Sequence, residues 1–194
     1  MHAFDLTALR LIHVQWASPW LDPVFLAFSV LGLGGVQAAL CLGFARREGT
    51  RHYAFPLIVA IVVAGLPLAQ LAKRLIPRDR PSNLWFVVPH EEFKANSFPS
   101  GHTSTSFAVA VTVILLRGSA AGWPERLGWL LLASLVGISR VYRGVHWPTD
   151  VLAGACCGVV AACVVQAWGI TDPEHPVHKR LNETLTNLRQ NLMR

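Results

Sequence analysis

Charge is scarce in this chain. Only 14% of its 194 residues are Asp, Glu, Lys or Arg, against about 25% in a soluble domain, which argues against an ordinary water-soluble fold. Acidic residues are few, 11 in all, and no carboxylate cluster or His/Cys set has the spacing of a metal site, so neither a metal nor another cofactor is expected. The four cysteines, Cys41, Cys156, Cys157 and Cys163, all sit in apolar stretches. They read as small helix-packing residues and not as a disulfide framework. No internal repeat or low-complexity segment is present. Residues 1–20 lack the basic start, apolar run and small-residue site of a cleavable leader, so none is expected.

What the chain has in quantity is apolar sequence, 53% of the whole, gathered in long blocks. A membrane-spanning helix needs about 20 apolar residues. Five stretches meet or approach that length: Pro23–Phe44, Tyr53–Ile76, Ser100–Leu116, Leu127–Tyr142 and Thr149–Trp168. The expected fold is all-α: a polytopic transmembrane bundle of about five spans forming one membrane-embedded domain over residues 1–194. Residues 1–20 alternate Phe4, Leu6, Leu9, Ile12 and Trp16 with Asp5, Arg10 and Gln15. They are too short and polar to span, and predict an amphipathic helix lying in the interface. Residues 171–194 form a tail with Leu181, Leu185, Leu188 and Leu192 on one helical stripe. The tryptophans cluster near inferred span ends, as an aromatic belt does.

The net charge of +6 would suggest nucleic acid in a soluble protein. Here it fits anion binding and membrane orientation, so the bilayer and not a nucleic acid is the expected partner. Sorting the loops onto two faces and discounting Lys73, Arg80 and Arg140 leaves more Lys and Arg on the face opposite those three. The positive-inside rule then puts that opposite face and the tail in the cytoplasm. The predicted location is the inner membrane, with Lys73, Arg80 and Arg140 facing the periplasm or exterior.

Three short blocks carry the chemistry. Lys73 is followed by six residues and then Arg80-Pro81. Next comes Pro99-Ser100-Gly101-His102. Last is Ser139-Arg140, five residues, His146, three residues and Asp150. Hydropathy alone places all three at one end of the expected bundle. They supply three cations, a glycine-bearing turn and two histidines. That set suits phosphoryl transfer, where catalysis is mostly positioning and charge stabilisation. Ser100 has no Gly-x-Ser-x-Gly elbow around it, so it reads as part of an anion cradle and not as a serine nucleophile. For Arg74, Arg78 and Arg143, outside the blocks, membrane anchoring is the default reading. His2, His13, His52, His175 and His178 read as packed or solvated, and His90-Glu91-Glu92 as a solvated turn.

Over Lys73 to Asp150 the chain resembles the type 2 phosphatidic acid phosphatase superfamily, whose soluble cousins include the vanadium-dependent haloperoxidases. The resemblance implies a metal-independent lipid phosphate phosphatase working through a phosphohistidine. His146 would be the nucleophile and Asp150 its orienting partner. His102 would be the general acid and then the base. Lys73, Arg80, Ser100, Gly101 and Arg140 would hold the phosphate. The implied substrate is a membrane lipid phosphate or pyrophosphate, with undecaprenyl pyrophosphate first. Phosphatidylglycerophosphate, phosphatidic acid and the phosphates of lipid A follow. The more distant readings are a vanadate-dependent haloperoxidase and a lipid-phosphate binder or translocator without catalysis.

Overall fold

The computed structural model describes residues 3–46, 49–92, 96–172, 174–177, 180 and 183–184. Within them the structure is all-helical. The helices are α1 (Ala3–Leu9), α2 (Leu21–Leu31), α3 (Gly34–Ala45), α4 (Arg51–Val63), α5 (Ala69–Leu75), α6 (Gly101–Arg117), α7 (Trp123–Tyr142) and α8 (Pro148–Ala167). Most of the C-terminal tail, including the Leu181, Leu185, Leu188 and Leu192 stripe, lies outside the described residues.

Helix ends follow local chemistry. Ser100 caps α6, its hydroxyl accepting from the Thr103 amide. Pro124 and Pro148 stand in the first turns of α7 and α8, where a missing N–H costs nothing. Gly118, at φ 52°, ends α6 in a backbone conformation that a side chain resists. Between α4 and α5 the helix continues through a wider turn, Ala64–Leu68, which contains Pro67. Proline removes a ladder hydrogen bond and crowds the preceding turn, which accounts for the widening.

By length and composition three helices among the described residues can cross a membrane: Arg51–Leu75, Gly101–Ala120 and Pro148–Ala167. The stretch expected as a single first span, Pro23–Phe44, is instead α2 and α3, bent by 65° at Gly32–Leu33. The pair makes a fourth crossing only if both arms are one broken span. A Cβ on Gly32 would meet Val136 Cγ1 at 2.5 Å and His102 Cδ2 at 3.0 Å, so glycine is what lets the elbow press onto α6 and α7. Helix α7 has the length, with 20 residues, but carries Glu125, Arg126 and Arg140 and does not reach the same apolar threshold. Against the expected five or so spans, the described residues thus hold three helices fit to cross, or four with the bent pair.

Glycines also set the tightest packing. Cβ atoms on Gly154 and Gly158 of α8 would lie 2.6 Å and 2.4 Å from the carbonyl oxygens of Ser100 and Ser104 on the α6 side. A core of Ala60, Ala64, Ala108, Ala161 and Val165 fills the centre behind this contact. A second cluster, Leu9, Val87, Val141 and Trp147, packs α1 against the end of the bundle. Asp5, Leu9 and His13 turn inward and are buried, while Phe4, Leu11 and Val14 point outward.

Candidate active site

The three blocks meet at one end of the bundle. Lys73 sits in the last turn of α5, Arg80 in the loop beyond it, and Gly101 and His102 in the first turn of α6. Arg140 is near the end of α7, His146 in the turn after it, and Asp150 in the first turn of α8.

His146 is buried, with 3% of its surface exposed. Its Nε2 lies 3.4 Å from Arg80 Nη1. A guanidinium only donates, so Nε2 must be the acceptor there, and the ring proton falls on Nδ1. Nδ1 in turn faces Asp150 Oδ2 at 3.5 Å, within ion-pair reach but longer than a formed hydrogen bond. Burial pushes the His146 imidazole down to about 4, against the upward pull of Asp150 and with Arg80 adding to the depression. The ring is therefore neutral and able to act as a nucleophile across the ordinary pH range.

Asp150 is held on all sides. Oδ1 accepts from Arg78 Nη1 at 2.6 Å. Oδ2 accepts from the Ser97 hydroxyl, and from the Trp147 amide at 2.9 Å. Arg80 also donates to the Val145 carbonyl at 2.6 Å. Burial, then the positive charge of Arg140, pushes its guanidinium below its ordinary value. Cations crowded in this way gain from an anion brought among them. Lys73 donates to the carbonyls of Asn96 and Pro99 at 2.8 and 3.0 Å, which ties down the approach to the Pro99–His102 turn.

Three expectations need correcting. Ser100 caps the helix: its N–H donates to the Asp150 carbonyl at 3.0 Å, and its hydroxyl accepts from Thr103 Oγ1 at 2.9 Å. The first-turn amides of Gly101 and His102 lie beyond the helix's own carbonyls, where an anion can be held. A Cβ at Gly101 would meet nothing within 4 Å, so that position is open to a close approach. The second correction concerns the arginines outside the motif. Arg78 joins Asp150 to Asp5, 2.5 Å away, and lies over the Trp147 ring at 5.3 Å. Arg143 donates to Glu91 at 2.5 Å. Both are paired with carboxylates in this cluster, where membrane anchoring was expected.

Glu91 is not in a solvated turn either. Its two oxygens accept from Arg140 Nη1 and Nη2 at 3.0 and 2.9 Å, and Arg140 also donates to the Ser29 hydroxyl. Burial raises the Glu91 carboxyl, but the hydrogen bonds and charges of Arg140 and Arg143 outweigh that and bring it to about 2. His13 is packed, as read from sequence: Nδ1 lies 2.7 Å from the Tyr142 carbonyl, and Nε2 accepts from the Val88 amide. Asp5, Arg78, Ser97, Glu91 and Arg143 were missed because their partners are remote in the chain. Arg78 alone carried a signal, lying inside the Lys73–Arg80 block.

Comparison with known proteins bears on this geometry. The chain is 39% identical over 111 residues to "Bacitracin transport permease protein BcrC" of Bacillus licheniformis, covering 56% of this chain and 51% of that protein. It is 38% identical over 124 residues to the "Undecaprenyl-diphosphatase" of Sulfolobus acidocaldarius, covering 62% and 55%. The chain thus spans about half the length of these curated relatives. Among solved structures, Aquifex aeolicus LpxE superposes with a TM-score of 0.74 at 29% identity, over 86% of this chain and 96% of that one. The PAP2 superfamily model matches residues 50–172, which hold the blocks from Lys73 to Asp150, and on that match the chain belongs to the PAP2 superfamily.

Proposed function

We propose that the protein is an integral-membrane lipid phosphatase that hydrolyses a lipid phosphate or pyrophosphate without a metal ion. The reading rests on one observation above the others: Nε2 of a buried, neutral His146 beside the Arg80 guanidinium, with Asp150 behind the ring. In the first step Nε2 attacks phosphorus, forming a P–N bond as the P–O bond to the lipid breaks. The Nδ1 proton stays on the ring, and the Asp150 carboxylate offsets the positive charge that develops. That contact tightens as the imidazolium forms. With the anionic phosphate held beside it, His102 takes up a proton and gives it to the leaving oxygen. It then takes a proton from the water that attacks phosphorus, the P–N bond breaks, and phosphate leaves. Lys73, Arg80, Arg140 and the Gly101 and His102 amides hold the non-bridging oxygens.

Undecaprenyl pyrophosphate is the favoured substrate. A relative carries that activity in its name, and a site crowded with cations suits two adjoining phosphates. The monophosphate lipids remain the second reading, because any anionic headgroup gains from the same cations. The site faces the periplasm or exterior, residues 3–15 lie in that interface with Phe4, Leu11 and Val14 toward lipid, and the tail is cytoplasmic.

The test is phosphate release by the purified protein in detergent with excess EDTA, across a panel of lipid phosphates and pyrophosphates. Release should persist in EDTA and vanish in His146→Ala. Loss in EDTA that magnesium restores would refute the metal-free step, and near-normal His146→Ala would refute the nucleophile.

A further inference from the structure

Asp5 stands outside the residues that carry the family match, yet it is wholly buried against the catalytic end. Both its oxygens are engaged. Oδ2 accepts from Arg78 Nη2 at 2.5 Å. Oδ1 accepts from the Thr149 amide at 3.0 Å, and the Thr149 hydroxyl lies 3.0 and 2.8 Å from the two oxygens. The same guanidinium, through Nη1, reaches Asp150 Oδ1 at 2.6 Å and Thr149 Oγ1 at 2.7 Å. One arginine therefore bridges two buried carboxylates, and the second of them faces His146.

We propose that Asp5 is a positioning residue: through Arg78 it sets the orientation and effective charge of the Asp150 carboxylate behind His146. The inference rests on the phosphatase reading above and concerns how its nucleophile is tuned. Paired with Asp150 alone, Arg78 would cancel most of the negative potential that Asp150 presents to the ring. Asp5 shares that guanidinium, so Asp150 keeps charge for the imidazolium formed during the reaction. The geometry has a second effect. Arg78 draws on Oδ1, while Ser97 and the Trp147 amide hold Oδ2, which fixes Oδ2 as the oxygen toward His146. Thr149 and Asp150 are neighbours in the first turn of α8, so Asp5 anchors the same turn that carries Asp150. The charged and titratable groups around this cluster are Lys73 from α5, Arg78 and Arg80 from the loop after it, His102 from α6, Arg140 from α7, His146 from the turn after α7, and Asp150 from α8.

The test uses the full chain in detergent, with farnesyl pyrophosphate as the probe and kcat, KM and the pH profile as readouts. Asp5→Asn should lower kcat by about tenfold or more while KM moves by less than about threefold, because the phosphate-holding cations are untouched. Positive charge left near the ring should move the acidic limb of the profile to lower pH. Asp5→Glu should recover most of kcat. In an Arg78→Gln background, Asp5→Asn should have little further effect, since its route is gone. A merely structural Asp5 would lower thermal stability but leave kcat and the acidic limb in place, and that result overturns the proposal. An equal effect of Asp5→Asn with and without Arg78 overturns it too. Should Asp5→Asn fail to fold, Arg78→Lys decides: it keeps the charge but cannot fork between two carboxylates. It should lose kcat with KM retained, and wild-type kcat there refutes the inference. A wild-type protein that releases no phosphate from any lipid phosphate sinks the phosphatase reading itself. An active wild type with an indifferent Asp5→Asn sinks this inference alone.

Discussion

Arg80 sets the tautomer of His146. A guanidinium 3.4 Å from Nε2 leaves that nitrogen its lone pair and sends the proton to Nδ1. Burial with Arg80 nearby holds the imidazole at about 4. The acidic limb of kcat/KM governed by this group should therefore fall near pH 4 and not near an ordinary histidine's 6.5; a pH–rate profile with a soluble phosphate ester checks it. The same group makes stability pH-dependent. Its folded value is below its unfolded one, so the unfolded chain takes up the proton first, and stability falls as pH drops from about 6.5 toward about 4. Glu91 adds a later loss. With its carboxyl held at about 2, its contribution is complete above about pH 4.5 and disappears as pH falls toward 2. Glu91→Gln should flatten that lower part of an acid-unfolding curve, and an unchanged curve would show that the Arg140–Glu91 pair contributes nothing. At this scale the sequence was legible where residues sit in short spaced blocks: His102, His146, Asp150, Lys73, Arg80 and Arg140 converge as read. Glu91 pairs with an arginine 49 positions away and Asp5 with a threonine 144 away. No local pattern marks such pairs, because burial, not spacing, creates them.

Elements carry the distances between these groups. Helix α6 brings His102 and α8 brings Asp150, and the two are pressed together where Gly154 and Gly158 meet the Ser100 and Ser104 carbonyls. A Cβ at 2.4 Å from a backbone oxygen has no room, so Gly158→Ala must push the helices apart. The expected cost is about 1–3 kcal/mol of stability, with a fall in kcat as the histidines separate; thermal unfolding and phosphate release on one preparation check both. Gly32→Ala tests the elbow differently. Its Cβ would strike Val136 and the His102 ring, so kcat should drop even where overall stability holds. A wild-type kcat would show that the elbow does not position His102. The sequence reading put helices in the right places but took α2 and α3 for one straight span. Hydropathy counts apolar residues and is blind to a bend at a glycine pressed against Val136 and the His102 ring.

For the whole molecule, composition alone made the class legible: little charge and long apolar runs yield an all-helical bundle. The number of crossings was less so, because α7 mixes apolar residues with Glu125, Arg126 and Arg140, and a helix shielded by neighbours tolerates such charge. Orientation decides which leaflet delivers the substrate. All the site residues lie at one end, as does Asn83, exposed in the loop after α5. Ser119, exposed between α6 and α7, lies at the opposite end. The proposed orientation, from the Lys and Arg balance with Lys73, Arg80 and Arg140 discounted, has the Ser119 end in the cytoplasm. Single cysteines at these two positions, in a background with Cys41, Cys156, Cys157 and Cys163 replaced, should then label differently in intact cells. An impermeant maleimide should reach position 83, after outer-membrane permeabilisation where there is one, and should miss position 119 until the inner membrane is broken. The reverse pattern would put the site in the cytoplasm. A lipid carrier recycled on the outer surface would then no longer be the favoured substrate, and lipids phosphorylated on the inner leaflet would take its place.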